Sequence, residues 1–337
     1  MRKYFLILKG NSSLTKRALK CHLSKMFFPS RNQPPSFAVL LIGLSVFFLS
    51  SCSYFDRMVV KKSGGIIERG LPVFYEEGDL GLARSGLASN IKVLETLLQS
   101  APKDRTLLLL TSQAISAYCY SFVEPEMERM LYVDLAKSEL IKMSARSLYL
   151  RAKEYAKRAL AVSNPALAKA TDQSLEDFDL QLQKTSPSLV PNLFWLGFAW
   201  GGYINLAKED VKAITNVVKV EHIMNFVVKH DETYFNGGAH LFLGFYYGSR
   251  PRMFGGDPQK ADMHFKRVDQ INKNRLLISK VMRAQTLSVQ ELNREEFNQL
   301  LLEVLQADPN LFPEQRLLNQ VAKVRADVLR KNANELF

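Results

Sequence analysis

The sequence predicts an all-α protein, built as a solenoid of antiparallel helical hairpins. Three observations favour this fold: apolar residues recur at helical spacing, proline and glycine separate the periodic segments, and almost nothing alternates as a strand would. With 337 residues, 47% of them apolar, the chain can bury a sizeable core. Length alone does not choose between one solenoid and two ordinary domains.

The segment Asn192 to Ala207 is the helix that the rest of the chain is organised around, and it contains both tryptophans. Its order Leu193-x-x-Leu196-Gly197-x-x-Trp200 is typical of the first helix of a tetratricopeptide repeat. The order returns at His240-x-x-Leu243-Gly244-x-x-Tyr247, and more weakly at Thr111-x-x-Ala114-Ile115-x-x-Tyr118. The spacing between the three is irregular, which predicts degenerate repeats.

The net charge of +12 lies mostly in the first 51 residues. This segment holds eight basic residues and no acidic one, which leaves 37 basic against 33 acidic residues in the remainder. The charge therefore gives little support to nucleic-acid binding. We predict no nucleic-acid partner.

An apolar run of about fifteen residues, Phe37 to Ser51, is shorter than the roughly twenty that span a bilayer and is typical of a signal peptide. It ends in Leu49-Ser50-Ser51-Cys52, which matches the lipobox of bacterial lipoproteins. We predict a signal peptide over 1–51, with Met26 as an alternative start, and lipid attachment at Cys52. The alternative is a short signal anchor with an incidental cysteine.

After Cys52 the residues to 71 are polar and rich in glycine, which predicts a flexible tether, and 72–337 form the predicted helical repeat domain. Residues 125–144 are predicted as an amphipathic connection and 166–190 as a long loop with a short helix. Asp257 is a plausible N-cap with Pro258 at the first helical position. The other predicted helices are Asp79 to Gln99, Arg105 to Phe122, Ser144 to Val162, Val211 to Val228, Ala239 to Tyr247, Asn274 to Thr286, Arg294 to Gln306 and Glu314 to Leu329.

No residue pattern predicts catalysis, a cofactor or a metal. The histidines after Cys52 lack partners at metal-ligand spacing, and Cys119 lies in an apolar helix, which favours a buried, inert thiol. No phosphate-binding loop is present, although Arg250 and Arg252 near the start of the helix at Pro258 leave an anion there as an alternative to a plain cap. We therefore predict a non-enzymatic protein.

Aromatic side chains could line a groove for an apolar ligand or partner segment, and the alternative is that they fill the repeat core. The groove candidates are Tyr118, Trp195, Trp200, Tyr203, Tyr246 and Tyr247. A second candidate is a partner-contact loop with Arg250, Arg252, Phe254 and Asp257, and the segment 171–188 is another.

The order of these pieces resembles the T-component family of tripartite ATP-independent periplasmic (TRAP) transporters. The resemblance covers most of 71–337 and departs at 126–142 and 171–185. It is carried by Leu71-Pro72, the helix Leu87 to Leu98, Phe194-Trp195, Ala199-Trp200-Gly201, Gly238-Ala239-His240, Phe254-Gly255-Gly256-Asp257, Ala261, His264-Phe265, Arg316 to Asn319 and Leu336-Phe337.

The resemblance implies a lipid-anchored, periplasm-facing scaffold that assembles with itself and with a solute-binding subunit, and that helps a hydrophobic or organic-acid ligand reach a membrane transporter. The residue after Cys52 is Ser53 and not an acidic residue that would signal retention in the inner membrane, which favours the outer membrane. The alternative is a lipidated repeat scaffold for envelope or outer-membrane assembly with no role in transport.

Overall fold

The computed structural model describes residues 63–337, which form helices and turns and contain no strand. The all-α prediction is confirmed, whereas the predicted leader and Cys52 lie outside the described residues. We number the helices α1 (63–75), α2 (Leu80–Ser100), α3 (Arg105–Tyr118), α4 (Glu124–Leu131), α5 (Leu135–Ser163), α6 (Pro165–Ala170), α7 (Leu175–Gln183), α8 (Val190–Leu206), α9 (Val211–Ile214), α10 (Val217–Asp231), α11 (Tyr234–Gly248, with a left-handed kink at 235–237), α12 (Pro258–Asn272), α13 (Leu277–Arg283), α14 (Arg294–Gln306) and α15 (Arg316–Lys331).

Aspartate side chains begin several of these helices by accepting a hydrogen bond from a backbone N–H of the first turn. Asp79, Asp104 and Asp134 do so for α2, α3 and α5. Asp257 accepts from Lys260 N at 3.0 Å, with Pro258 as the first helical residue. The N-cap predicted at that position is therefore confirmed.

Helix α3 runs through the middle of the fold and is buried on nearly all sides. It passes without a break into a π-helical turn, Cys119–Val123, and then into α4. The continuous segment Arg105–Leu131 is long and apolar enough to cross a membrane, but 67% of its most apolar window is buried inside the protein. This burial is typical of the core helix of a folded domain.

Small residues let α5 pack closely between α3 and α8, as the sequence predicts for the second helix of a repeat. Ala145, Ala152, Ala156 and Ala159 are fully buried along one stripe of α5. Across this contact, a Cβ on Gly202 of α8 would lie 2.7 Å from a ring carbon of a buried tyrosine on α5.

The longer helices pack in a series along the chain, with α3 against α5, α5 against α8, α8 against α10, α10 against α11, and α11 against α12. The last helix packs back against the first half of the described chain. Helix α15 returns to contact α2, α4 and the π-helical turn. Leu317 and Val321 of α15 bury against Ala83 and Leu87 of α2. The described helices therefore form a closed arrangement.

Several boundaries differ from the prediction. The described part of the predicted tether, 63–71, is helical, and the segments 125–144 and 166–190 hold the helices α4, α6, α7 and the start of α5. The predicted helix Val211 to Val228 is divided in two, because the Asn216 side chain donates to the Lys212 carbonyl at 2.7 Å in a turn that separates α9 from α10.

Candidate functional site

An open groove of about 320 Å³ lies on the surface beside Tyr118. We call it the Tyr118 groove. Its floor is apolar, with the tyrosine ring 5.9 Å from the ring of Phe122. The groove is lined by Arg84 of α2, Tyr118 of α3, Val123 of the π-helical turn, Glu126 of α4, and Lys137, Leu140, Ile141, Ser144 and Leu148 of α5.

The rim of the Tyr118 groove carries more positive than negative charge. Glu126 accepts a hydrogen bond from Arg129 Nη2 at 2.8 Å, and this bond, with the charges of Arg129, Lys137 and Arg84, lowers the pKa of the carboxyl. One carboxylate therefore stands among three cations. A concave apolar surface with a few charged groups at its edge is suited to an apolar ligand with an anionic end.

The two tryptophans that the sequence proposes for a groove lie in the core instead. Trp195 and Trp200 are each 2% exposed. The indole of Trp195 donates to the Tyr234 hydroxyl at 3.2 Å, and the Lys153 ammonium stands 4.3 Å from the ring centroid of Trp200. Both rings stabilise the packing of α8, so the core interpretation of these residues fits the structure.

Tyr203 lies at the other end of α8 and is half-buried. Its hydroxyl donates to Asp210 at 3.3 Å, and the Arg146 guanidinium lies 5.9 Å from its ring centroid. Tyr203 is therefore separate from the Tyr118 groove, since the lining residues of that groove do not include it.

Tyr246 and Tyr247 form a second cluster with Glu221 of α10. Their hydroxyls donate to the two oxygens of that carboxylate at 2.8 and 2.5 Å. Burial and the neighbouring carboxylate raise the pKa of Tyr246 to about 12. Arg250 lies 3.9 Å over the Tyr246 ring, and Lys260 lies 4.9 Å over the Tyr247 ring. The structure thus joins two predicted groove aromatics to the predicted contact loop.

The other residues of the predicted contact loop divide into structural and exposed positions. Asp257 is committed to capping α12. Arg252 and Phe254 are exposed on a short 3-10 turn between α11 and α12. The ring of Phe254 is 68% exposed.

A buried histidine pair joins α11 to α12, and sequence reasoning missed it. His240 Nδ1 and His264 Nδ1 are 2.8 Å apart, and His240 Nε2 is 3.2 Å from Glu232. If His240 donates from Nε2 to this carboxylate, its Nδ1 accepts and His264 must donate from Nδ1. Burial and the neighbouring charges lower the pKa of His264 to about 4. The spacing of apolar residues predicts which faces of α11 and α12 are buried, but it does not indicate that the two histidines contact each other.

A buried charge cluster joins α15 to α4, and it too was not predicted. Arg325 Nη2 lies 3.2 Å from Glu124 and also donates to Glu128. The Tyr149 hydroxyl donates to the other oxygen of Glu124. Burial raises the pKa of Glu124 and the Arg325 charge lowers it, with burial the larger effect. This cluster fastens the end of the chain to its first half.

The described residues thus form an all-helical protein with an apolar surface groove and a basic rim. A family model for the TRAP transporter T-component matches residues 76–337, which is most of the chain. The chain therefore belongs to the TRAP transporter T-component family. Membership associates the protein with the other subunits of a TRAP transporter and with the cell envelope. No curated protein matches the sequence.

Proposed function

We propose that the protein is a lipid-anchored scaffold of a TRAP-type transporter, facing the periplasm. It works with a solute-binding subunit and receives an apolar or organic-acid ligand in the Tyr118 groove. The observation that carries the ligand class is the groove itself, which combines an apolar floor with more cations than anions at its rim. Its volume of about 320 Å³ lies at the small end of the range for ligand sites.

The transport role is tested by affinity capture of the protein from its own cell envelope. Co-purification of a periplasmic solute-binding subunit is the expected result, and the native mass of the complex gives the number of copies. Recovery of outer-membrane assembly factors without a solute-binding subunit would instead support a general envelope scaffold.

The groove is tested with dansyl-labelled undecanoate, an apolar chain with a carboxylate end, by fluorescence titration. Ser144→Trp fills the groove and is expected to weaken binding at least tenfold, because the indole occupies the space of the chain. Ser147→Trp is the matched control, since Ser147 is also an exposed serine of α5 but does not line the groove. Equal affinity in both variants would place the ligand elsewhere.

The charge on the rim is tested separately. Removing the ammonium with Lys137→Gln is expected to weaken dansyl-undecanoate binding severalfold, and the loss should shrink as the salt concentration rises, because exposed charges are screened. A fatty alcohol of the same length should bind both forms alike. If Lys137→Gln weakens binding of the acid and of the alcohol equally, the rim does not bind the carboxylate.

The anchor is tested by mass spectrometry of the N-terminal peptide of the mature protein. A diacylglyceryl cysteine at position 52 is expected, and Cys52→Ser should release the protein from the membrane fraction. Two acyl chains give stable attachment because each buried methylene contributes about 0.8 kcal/mol. An unmodified Cys52 in the mature protein would contradict this part of the proposal.

A further inference from the structure

The loop between α11 and α12 exposes two large apolar side chains next to each other. Met253 is 81% exposed and Phe254 is 68% exposed. Single exposed apolar residues are ordinary on protein surfaces, whereas contiguous exposed apolar patches mark contact surfaces. We call these two residues the apolar tip.

The backbone holds the apolar tip in a fixed position. The ends of the loop are joined by the hydrogen bond from Asp257 N to the Tyr247 carbonyl at 3.0 Å. Phe254 N donates to the Pro251 carbonyl at 2.9 Å, and Gly255 adopts the left-handed conformation at φ 87°. Because the loop is already ordered, a partner would not have to offset the entropy of ordering it.

Two arginines precede the apolar tip in the same loop. Arg252 precedes it and is exposed, and Arg250 stands on the Tyr246 ring at 3.9 Å. Asp257, the acid of the loop itself, is committed to capping α12. The loop therefore carries a net positive charge, and we call Arg250 and Arg252 the basic collar.

The size of the tip favours a lipid surface over a folded protein. Large apolar side chains such as Phe bury roughly 150–250 Å² each, so two of them present on the order of 300 Å². A stable protein interface buries about 800 Å² on each partner. Insertion of apolar side chains between lipid headgroups, with basic residues against the phosphates, has no such minimum area.

We propose that the apolar tip, Met253 and Phe254, inserts into the interface of an anionic phospholipid bilayer, with Arg250 and Arg252 against the phosphate groups. The folded domain then contacts the membrane directly, and it does so independently of any acyl chain at the N-terminus. Such a contact would fix the orientation of the domain on the bilayer.

The test places a fluorescent residue at the tip. The Phe254→Trp variant of the full protein is bound to vesicles of phosphatidylglycerol and phosphatidylcholine whose acyl chains are brominated, and the vesicle-bound fraction is recovered by flotation. Bromine quenches tryptophan on contact. We expect the introduced indole to be quenched at least twofold, whereas the two native tryptophans are buried at 2% exposure and provide a constant background.

The matched control is Val162→Trp. Val162 is also an exposed apolar residue, at 48%, and lies on α5. Helix α5 packs mainly against α3, α4, α6 and α8. Its indole should not be quenched. Equal quenching at both positions, or none at position 254 on bound vesicles, would overturn the proposal, as would failure of the protein to float.

The charge of the collar is tested with Arg252→Gln in the Phe254→Trp background. The fraction of protein that floats with anionic vesicles should fall severalfold, since each basic residue near an anionic surface contributes about a fivefold gain in binding. Vesicles of phosphatidylcholine alone should quench little in either form. If a solute-binding subunit shifts the emission while lipid does not, the tip binds protein instead and the lipid proposal is wrong.

Discussion

Replacing Arg325 by methionine should destabilise the protein strongly, because Arg325 is the buried cation that joins α15 to α4. Arg325 is 5% exposed and Glu124 is 7% exposed. Removing one partner of a buried ion pair leaves an uncompensated charge and costs about 3–5 kcal/mol. We expect Arg325→Met to lower the free energy of unfolding by that amount at pH 8.

The measurement is urea unfolding followed by circular dichroism at constant temperature. Arg129→Met is the matched control, because Arg129 pairs with Glu126 at 2.8 Å on the surface with its side chain 52% exposed. An exposed pair of this kind contributes at most about 1 kcal/mol. The two arginines thus compare one chemical change in buried and exposed positions.

A double variant separates the ion pair from simple packing. In Arg325→Met with Glu124→Gln, the buried carboxylate is gone, so the loss should be at least about 2 kcal/mol smaller than the sum of the two single losses. Additive losses would refute the ion-pair argument. So would an Arg325→Met variant as stable as Arg129→Met.

The pH response gives an independent check. Burial raises the pKa of Glu124 in the folded protein, and Arg325→Met removes the charge that opposes this rise. The folded variant then binds a proton that the unfolded chain does not, so its stability should increase as pH falls from 8 toward the unfolded value of about 4.3. A deficit that stays constant over this range would contradict the assignment.

Three further predictions follow from single positions. His264 has a folded pKa of about 4, so it stays neutral in the folded protein at pH values where the unfolded side chain is protonated. The free energy of unfolding should therefore fall by up to about 3 kcal/mol between pH 6.5 and 4. In thermal melts at several pH values, His264→Gln should reduce this fall, whereas His230→Gln, at an exposed histidine, should not. Gly202→Ala should lower the free energy of unfolding by about 1–3 kcal/mol, because its Cβ would lie 2.7 Å from a tyrosine ring. Gly70→Ala, whose Cβ would meet nothing within 4 Å, should be neutral or stabilising, and equal effects would contradict this. Burial raises the pKa of the Cys119 thiol, so it should react with a thiol reagent only in denaturant, and rapid labelling of the native protein would disprove its burial.

The sequence predicts those parts of the fold that depend on neighbouring residues. Helical periodicity locates α8, and the pair Asp257-Pro258 marks the start of α12 because both the cap and the fixed proline φ are local properties. The division between α9 and α10 is also local, but it depends on the Asn216 side chain competing for a backbone carbonyl. Hydrophobic spacing does not detect such competition.

Features that depend on distant residues could not be predicted. The sequence gives Tyr246 and Tyr247 as candidate ligand contacts but does not indicate that Glu221 accepts from both. In the same way, Trp195 is a residue type that is common in ligand sites, and only its packing against neighbouring helices shows that it belongs to the core. Tyr118 does border a groove, because the π-helical turn after it and the helix α5 supply the opposite wall.

The return of α15 to α2 and α4 has a consequence for how the chain folds. In an open repeat array each unit contacts only its neighbours, so folding can start anywhere and spread, and terminal units can fray. Here Arg325 meets a carboxylate 201 residues earlier in the chain. Joining residues this far apart requires the entropy of closing a very long loop before the contact forms. The protein should therefore fold slowly and unfold as one cooperative unit, and loss of the final helix should loosen the first helices as much as the last.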